Sequence, residues 1–300
     1  MILVLRRAGR LVGVMPLARR RGALVSTSNW HTPAFSPVVE DEEALAELVR
    51  AALERTRVRL DLAFVDEASP AIETCVRVSE AGGFRLSSRA LLRSPYLDIE
   101  GDWQAYEDQL PSRKKKKYRR FRRRLDEQGE VSIELSDGTS GLSELLRQGF
   151  EIEAAGYEDR PGTAIIARPE TKRFYTEVAE WAAERGWLRL WMLRLDGAPI
   201  AFGYGLEHDR VYFDLKIGFE PRYAALGPGV LLLRERLQYA FTASLRTYEF
   251  LGAPERHKLD WTETLRGRMK LQVFAPTIGG IASRIAWERG RPIAKRLLRR

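Results

Sequence analysis

The chain of 300 residues has one cysteine, three histidines and no long apolar run, and each scarcity removes a class of function. A lone thiol, Cys75, cannot close an intramolecular disulfide. With His31, His208 and His257 as the only imidazoles, neither a cysteine-rich nor a histidine-built metal centre is expected. Cys75 lies in IETCVRV, whose apolar residues recur at helical spacing, so it reads as buried packing and not as a nucleophile. No stretch approaches the eighteen or more apolar residues of a membrane span. The opening MILVLRRAGRLVGVMPLARRR mixes apolar residues with arginines, but the arginines interrupt every run and no signal-peptide core forms. A cytoplasmic location is expected.

What the chain does contain is enough for one large domain or two ordinary ones, each with a core of its own. Its 44% hydrophobic and 30% charged residues are those of a globular protein, not a disordered chain. A net charge of +9 calls for an anionic partner or surface without naming it.

The stretch from Arg210 to Leu251 organises the rest, reading as strand, glycine loop, helix, strand. Val211, Phe213 and Leu215 alternate with Tyr212, Asp214 and Lys216, the period of a half-buried strand. Gly227-Pro228-Gly229 then opens directly into Val230-Leu231-Leu232-Leu233. Backbone N–H groups at a helix N-terminus lack partners and carry partial positive charge, and glycines let a phosphate approach them. The loop is therefore either an anion cradle or a plain tight connection.

Upstream, Ile2–Arg7 and Leu11–Ala18 form a hairpin about Ala8-Gly9-Arg10, followed by a strand at Ala23–Ser26. A helix capped by Asp41, a strand at Leu60–Val65, a helix over Pro70–Ala81 and an extended run over Phe84–Ile99 come next. Helices are expected at Trp103–Leu110 and from Ser112, an N-cap, to Gln128. A strand at Val131–Leu135, helices at Leu142–Ala155 and Glu170–Arg185, and strands at Trp187–Leu195, Ile200–Leu206 and Val211–Gly218 lead into the central stretch. Arg268–Phe274 closes the series, and a basic helix follows from about Ile281.

Part of this order occurs twice. With LVLRRAGRLVGVMPL from Leu3 set beneath WMLRLDGAPIAFGYG from Trp191, Leu5-Arg6 falls on Leu193-Arg194, Gly9 on Gly197 and Val12 on Ile200. The same gapless offset carries Asp61-Leu62-Ala63-Phe64 onto Glu249-Phe250-Leu251-Gly252, with a helix before each. Duplication is the better reading. The first unit lacks the strand and helices that the second has between Val131 and Arg185. Either the unit is abbreviated, or the sequence starts inside it.

The order strand, two helices, three antiparallel strands, glycine loop into helix, and strand resembles the GNAT acyltransferase fold. The segments SPYLDIEGDWQAYEDQLPSRKKKKYRRFRRRLDEQGEV, FEIEAAGYEDRPGTAI, RFYTEVAEWAAERGWLRLWMLRLDGAPIAF, PGVLLL and YEFLGAPERHKLDW resemble the CelD-like acetyltransferases. These are tandem-GNAT proteins related to the FemAB aminoacyltransferases and often linked to exopolysaccharide production. The resemblance covers about Leu3 to Ala275. It implies an α/β fold of α+β type, with mixed, mostly antiparallel sheets flanked by helices. It also implies an abbreviated unit over 1–100, a basic helical junction over 101–129, an acyltransferase unit over 130–278 and a basic helix over 279–300. GNAT enzymes bind the coenzyme A pyrophosphate on a Q/R-x-x-G-x-G/A loop. Gly227 and Gly229 match its glycines and Val230 follows, but the Gln/Arg position falls on Ala224 and Arg222 comes two residues early.

Acyl transfer needs a base, an oxyanion donor and an acid for the leaving group. Asp214 and Lys216 are expected on one strand face, as i and i+2, forming a cleft wall or a solvated surface. Glu249, between Tyr248 and Phe250, is a candidate base, although its counterpart Asp61 allows a structural acid in both units. The resemblance implies an oxyanion donor from the backbone of Ile217–Phe219 and an acceptor pocket near Glu153, Tyr157 and Asp159. It also makes Lys258 an anchor for an anionic substrate or donor phosphate.

The run RKKKKYRRFRRR, Arg113 to Arg124, places ten cations in twelve residues. Its aromatic residues can dock the helix while the cations face solvent or a polyanion: glycan, RNA or anionic lipid. The expected activity is transfer of acetyl from acetyl-CoA to an amine or hydroxyl of a sugar or cell-envelope precursor, with no metal. The alternatives are a Fem-like aminoacyltransferase using aminoacyl-tRNA, and a non-catalytic protein binding glycan or the inner membrane surface.

Overall fold

The structure is a computed structural model that describes residues 1–156 and 164–297, with side chains through 288. In chain order the elements begin β1 (Ile2–Arg7), β2 (Arg10–Arg20), β3 (Ala23–Ser26), β4 (Val38–Val39), α1 (Glu42–Glu54), β5 (Arg59–Asp66), α2 (Pro70–Ala81) and β6 (Arg85–Asp98). They continue with α3 (Trp103–Gln109), α4 (Ser112–Asp126), β7 (Val131–Ser136), α5 (Leu142–Ala155), α6 (Pro169–Ala183), β8 (Leu188–Leu195), β9 (Ala198–His208) and β10 (Val211–Phe219). The last are α7 (Pro228–Thr242), β11 (Thr247–Glu249), α8 (Arg256–Leu259), β12 (Leu265–Phe274) and α9 (Ile278–Leu297).

The chain divides into two compact units, one of residues 1–94 together with 265 onward, the other of residues 95–264. This division differs from the expected boundaries at 100, 129 and 278. Strand β12 pairs antiparallel with β5, which returns the end of the chain to the first unit. Helix α4 is no separate junction, because its Tyr118 and Leu125 are buried in the second unit's core. Pro111, not Ser112, occupies the N-cap of α4, with no side-chain cap.

In the first unit the strands run β1-β2-β3-β5-β12-β6, antiparallel at β1/β2, β2/β3 and β5/β12, parallel at β3/β5. Helices α1 and α2 cover one face, packing Leu45, Leu48, Val49 and Val78 against Leu3, Met15, Leu17 and Leu24. Cys75 is fully buried there, and burial pushes its thiol up to about 12. In the second unit the end of β6 is followed by β11-β10-β9-β8-β7, with β10/β11 the parallel pair. Helices α5 and α6 cover one face of that sheet through Phe150, Ile152 and Tyr175. Helices α4 and α7 cover the other through Leu125, Leu231 and Leu232.

The repeat extends to the backbone. The parallel pairing Ala23↔Arg59 to Val25↔Asp61 and the pairing Val211↔Thr247 to Phe213↔Glu249 share the offset read from the sequence. The hairpin register slips between Leu5 and Arg6 in the first unit and between Leu193 and Arg194 in the second. A one-residue bulge reverses which face later residues point to, so this coincidence is a strong mark of common geometry. Both hairpins turn through two residues of positive φ, Ala8-Gly9 and Asp196-Gly197. That conformation matches the twist of the flanking strands and favours glycine.

Candidate active site

The site is built on β10 and β11. Their parallel pairing ends at Phe213↔Glu249, while β10 continues against β9 to Phe219. Residues 214–219 therefore have a strand on one side and, among the described residues, none on the other. In this half of β10 the register against β9 slips between Asp214 and Lys216. The expectation that these two share a face is overturned: the extra residue of the bulge turns Lys216 away from the side of Asp214.

On the α7 side, Asp214 is buried in an ion pair with Arg236. Tyr248 donates its hydroxyl to Asp214 at 3.0 Å, and Arg236 Nε donates to the Tyr212 hydroxyl at 3.3 Å. The Tyr212 and Tyr248 rings stack with centroids 4.7 Å apart. Burial opposes the charge on Arg236, yet Asp214 and the two tyrosine oxygens outweigh it and hold its pKa well above the ordinary arginine value. Burial pushes Tyr212 up to about 12 and Tyr248 well above the ordinary tyrosine range. Gly203 and Gly205 provide the room, since a Cβ on either would meet Arg236 or the Tyr212 hydroxyl within 3 Å. Asp214, expected as a catalytic group, is thus tied into a buried ion pair and a tyrosine hydrogen bond.

On the α5 side, Lys216 donates to Glu153 Oε1 at 2.9 Å, and Glu153 Oε2 accepts from the Ile165 backbone N–H at 2.8 Å. Glu153 is fully buried, and Gly218 allows its Cα to lie directly over β10. Its carboxylate holds Lys216 and the turn after α5, and does not line an open pocket. Tyr157 and Asp159 lie outside the described residues. Glu249 closes the parallel ladder and is 5% exposed.

The glycine loop follows a 3-10 turn, Pro221–Leu226, in which the exposed Arg222 guanidinium lies over the Tyr223 ring at 4.9 Å. Gly227 has φ 64° and its Cα faces Phe121 of α4 so closely that a side chain there would enter the ring. No side chain caps α7 at its N-terminus, and Gly229 is the last residue of the loop pattern before Val230. The first unit handles the same place differently. The position equivalent to Gly229 is Asp41, whose carboxylate accepts from Ala44 N–H at 2.6 Å and pairs with Arg7 at 2.8 Å. One helix end is closed by its own anion; the other has no side-chain cap.

Lys258 is turned back on its own loop, donating to Leu251 O at 2.9 Å and Ala253 O at 3.3 Å and pairing with Glu255 at 3.1 Å. Its place as a ligand anchor is thereby corrected to that of a loop tie. Burial holds His257 below the ordinary histidine value, against the pull of Glu255.

Helix α4 docks as its aromatic residues suggest. Tyr118 stacks on Trp261 at 4.8 Å, Phe121 covers Gly227 and Leu125 is buried. Lys114 and Lys117 reach Asp260, and Lys115 reaches Asp108. Arg113, Lys116, Arg119, Arg120 and Arg124 face solvent. A groove of about 620 Å³ runs between α4 and α7, with Arg119, Arg122 and Arg123 on one wall and Leu231 and Arg234 on the other. Glu107, Asp126 and Glu235 also line it, so its charge is mixed. Among the described residues no group of three or more His, Cys, Asp or Glu side chains is placed to hold a metal ion.

The structure thus brings Asp214, Lys216 and Glu249 onto adjoining strands at the end of the parallel ladder, but commits the first two to separate buried pairs. Arg236 was missed by sequence reasoning, although a signal existed. Its repeat counterpart is Leu48, and those of Tyr212, Asp214 and Tyr248 are Leu24, Ser26 and Leu60. A charged and hydroxylated network stands in the second unit where the first has three leucines and a serine.

Comparison with known proteins places this unit. Residues 112–259 match the acetyltransferase (GNAT) domain family. Among solved structures the fold is similar to the C-terminal domain of a putative lysylphosphatidylglycerol synthetase from Agrobacterium fabrum. That match has 14% identity and a TM-score of 0.61, and covers 92% of this chain and 84% of that one. It is also similar to FemX, with 12% identity and a TM-score of 0.60 over 90% of this chain and 87% of that one. L-PGS from Bacillus licheniformis matches at 10% identity and a TM-score of 0.58, over 93% of this chain and 85% of that one. No curated protein matches the chain.

Proposed function

We propose, from the match of residues 112–259 to the acetyltransferase (GNAT) domain family, that the second unit transfers acetyl from acetyl-CoA to an amine or hydroxyl of a sugar or cell-envelope polysaccharide precursor, as in the CelD-like branch. The observation that carries the reading is the uncapped N-terminus of α7 at Gly227–Val230, where the duplicate helix is sealed by Asp41. The pyrophosphate of the donor would lie at that end, with Gly229 permitting close approach and Arg222 beside the loop. The thioester would then reach the open side of β10, whose backbone N–H groups near Ile217–Phe219 receive the oxyanion. Glu249 takes the proton of the acceptor as the new C–N or C–O bond forms; the C–S bond breaks and the thiolate leaves. Asp214 with Arg236, and Lys216 with Glu153, hold the bulged strand in shape.

Isothermal titration with acetyl-CoA tests the donor, and micromolar binding is the expected result. Glu249→Gln should leave that binding unchanged while lowering turnover about 100-fold or more, the scale of a lost general base. An absence of acetyl-CoA binding by a folded protein would remove this reading.

The second reading is a Fem-like aminoacyltransferase with aminoacyl-tRNA as donor. It is favoured by the solvent-facing cations of α4 and by Ala224 at the family's Gln/Arg position. Because Lys114 and Lys117 hold Asp260, the informative substitutions are Lys116, Arg119, Arg120 and Arg124 to glutamine. Under this reading they should weaken RNA binding at least about tenfold and flatten its salt dependence. The same surface would serve a peripheral contact with anionic lipid or glycan in a non-catalytic protein.

A further inference from the structure

The groove between α4 and α7 contains a group that the acyl-transfer reading does not use. Tyr118 lines it, 3% exposed, its ring stacked on Trp261 at 4.8 Å with the two planes 3° apart. The Tyr118 hydroxyl is enclosed and has no hydrogen-bond partner among the described residues. A buried hydroxyl in that state carries the desolvation penalty of an unmade bond, and the large majority of such groups in folded proteins are satisfied. Burial, and after it the charge of Asp260, raise this hydroxyl above the ordinary tyrosine range, so it is a donor at neutral pH. Arg234 and Glu107 also act on it, which places it towards the end of the groove where that pair sits.

The wall above that floor is cationic. Arg119, Arg122 and Arg123 line the groove from α4 at spacings of three and four, where like charges repel. The acids of the groove do not cancel them. Glu107 and Glu235 are both engaged by Arg234, at 2.7 Å and 3.0 Å. Asp126 accepts from Arg122 through Nε at 2.9 Å, and Glu127 faces Arg123 Nε at 3.6 Å, so the outer amino groups of both guanidiniums remain available. Arg119 makes no ion pair among the described residues.

We propose that this groove is a binding site for a phosphate group, held by the Tyr118 hydroxyl at the floor and by the α4 arginines at the wall. Several guanidiniums on one helix face match the oxygens of a dianionic phosphate better than the two of a carboxylate. The volume of about 620 Å³ admits a phosphorylated small molecule, and Leu231 offers an apolar wall to the rest of it. Two sources carry that chemistry. Leu231 stands in the first turn of α7, beside the Gly229 loop, so the ribose 3′-phosphate of coenzyme A is one; that case rests on the acetyl-transfer reading above. A separate phosphorylated ligand is the other.

The test is calorimetric titration of the full chain with inorganic phosphate, beside Tyr118→Phe and the double variant Arg122→Gln with Arg123→Gln. The expected wild-type Kd is about 1 mM or tighter. It should weaken at least about tenfold in the arginine variant and about three- to tenfold in Tyr118→Phe. Tyr118→Phe keeps the ring on Trp261 and removes the unpaired hydroxyl, so its thermal midpoint should equal or exceed that of the wild type. Weaker binding with undiminished stability is a result that a packing role alone does not produce. No binding up to about 10 mM phosphate would overturn the proposal, as would binding that Tyr118→Phe leaves unchanged. Acetyl-CoA and its 3′-dephospho form then separate the sources. A preference of at least about tenfold for the 3′-phosphate, lost in the arginine variant, assigns the site to the donor, and equal affinity assigns it to a separate ligand. If inorganic phosphate binds and acetyl-CoA does not, the acetyl-transfer reading falls and the phosphate site stands.

Discussion

Replacing Gly229 with aspartate is expected to weaken acetyl-CoA binding at least about tenfold, or 1.4 kcal/mol, while leaving the protein as stable as before or slightly more so. The substitution puts a carboxylate at the repeat position of Asp41, but inside the first turn of α7, whereas Asp41 is the N-cap of α1. A carboxylate in the first turn of α7 is favoured by the positive end of the helix dipole and would repel the donor phosphates. The glycine has no left-handed backbone angle to protect, and a Cβ there would approach only the Phe219 ring, at 3.0 Å. That ring is 37% exposed and free to give way. The combination of lost binding and retained stability is what makes the variant informative. Ligand titration and a denaturation curve on the same preparation read both quantities. Unchanged affinity would move the donor away from α7 altogether.

Asp214→Ala is expected to destabilise the protein by about 3–5 kcal/mol, because it strands a fully buried guanidinium. Arg236 has no exposed surface, so neither water nor rotation can replace the lost carboxylate. The midpoint of guanidinium chloride unfolding is the measurement, with the slope checked for constancy. Changing both partners to the residues of the first unit, Asp214→Ser with Arg236→Leu, should recover part of the loss, since removing a buried pair together avoids the unpaired charge. If the double variant is stable but binds donor or turns over poorly, the network serves the site and not the fold. If the single variant unfolds at the wild-type midpoint, the ion pair contributes nothing.

Much of this architecture was legible in the chain because it rests on periodicity and repetition. The hairpin at Ala8-Gly9, the strands at Ala23–Ser26 and Val211–Phe219, and the helices α1, α2 and α7 all carry local signals. The matching registers of β3/β5 and β10/β11 followed from one gapless offset. The docking of α4 by Tyr118, Phe121 and Leu125 was readable from residue type alone. What could not be read was where side chains meet. A bulge between Asp214 and Lys216 leaves no mark in composition, yet it decides which helix each charge faces. Lys258 appeared in a family-like segment, but its length and the positive φ of Leu251 and Gly252 let it curl back onto its own loop. Glu153 looked like pocket lining because its burial depends on Gly218, more than sixty residues away. The counterpart rule would have exposed the Arg236 network, since leucines in one copy against a charged set in the other mark a position released from simple packing.

The interleaving of the chain bears on how the protein is made. Strand β12, which lies between β5 and β6, leaves the ribosome only after the whole of the second unit. Until then the first unit has a gap in the middle of its sheet and two strand edges exposed to mispairing. The second unit, contiguous over residues 95–264, meets no such delay. Nascent chains should therefore complete the second unit first, and its companion only once β12 has emerged. Any chaperone engagement would concentrate on the exposed edges of β5 and β6.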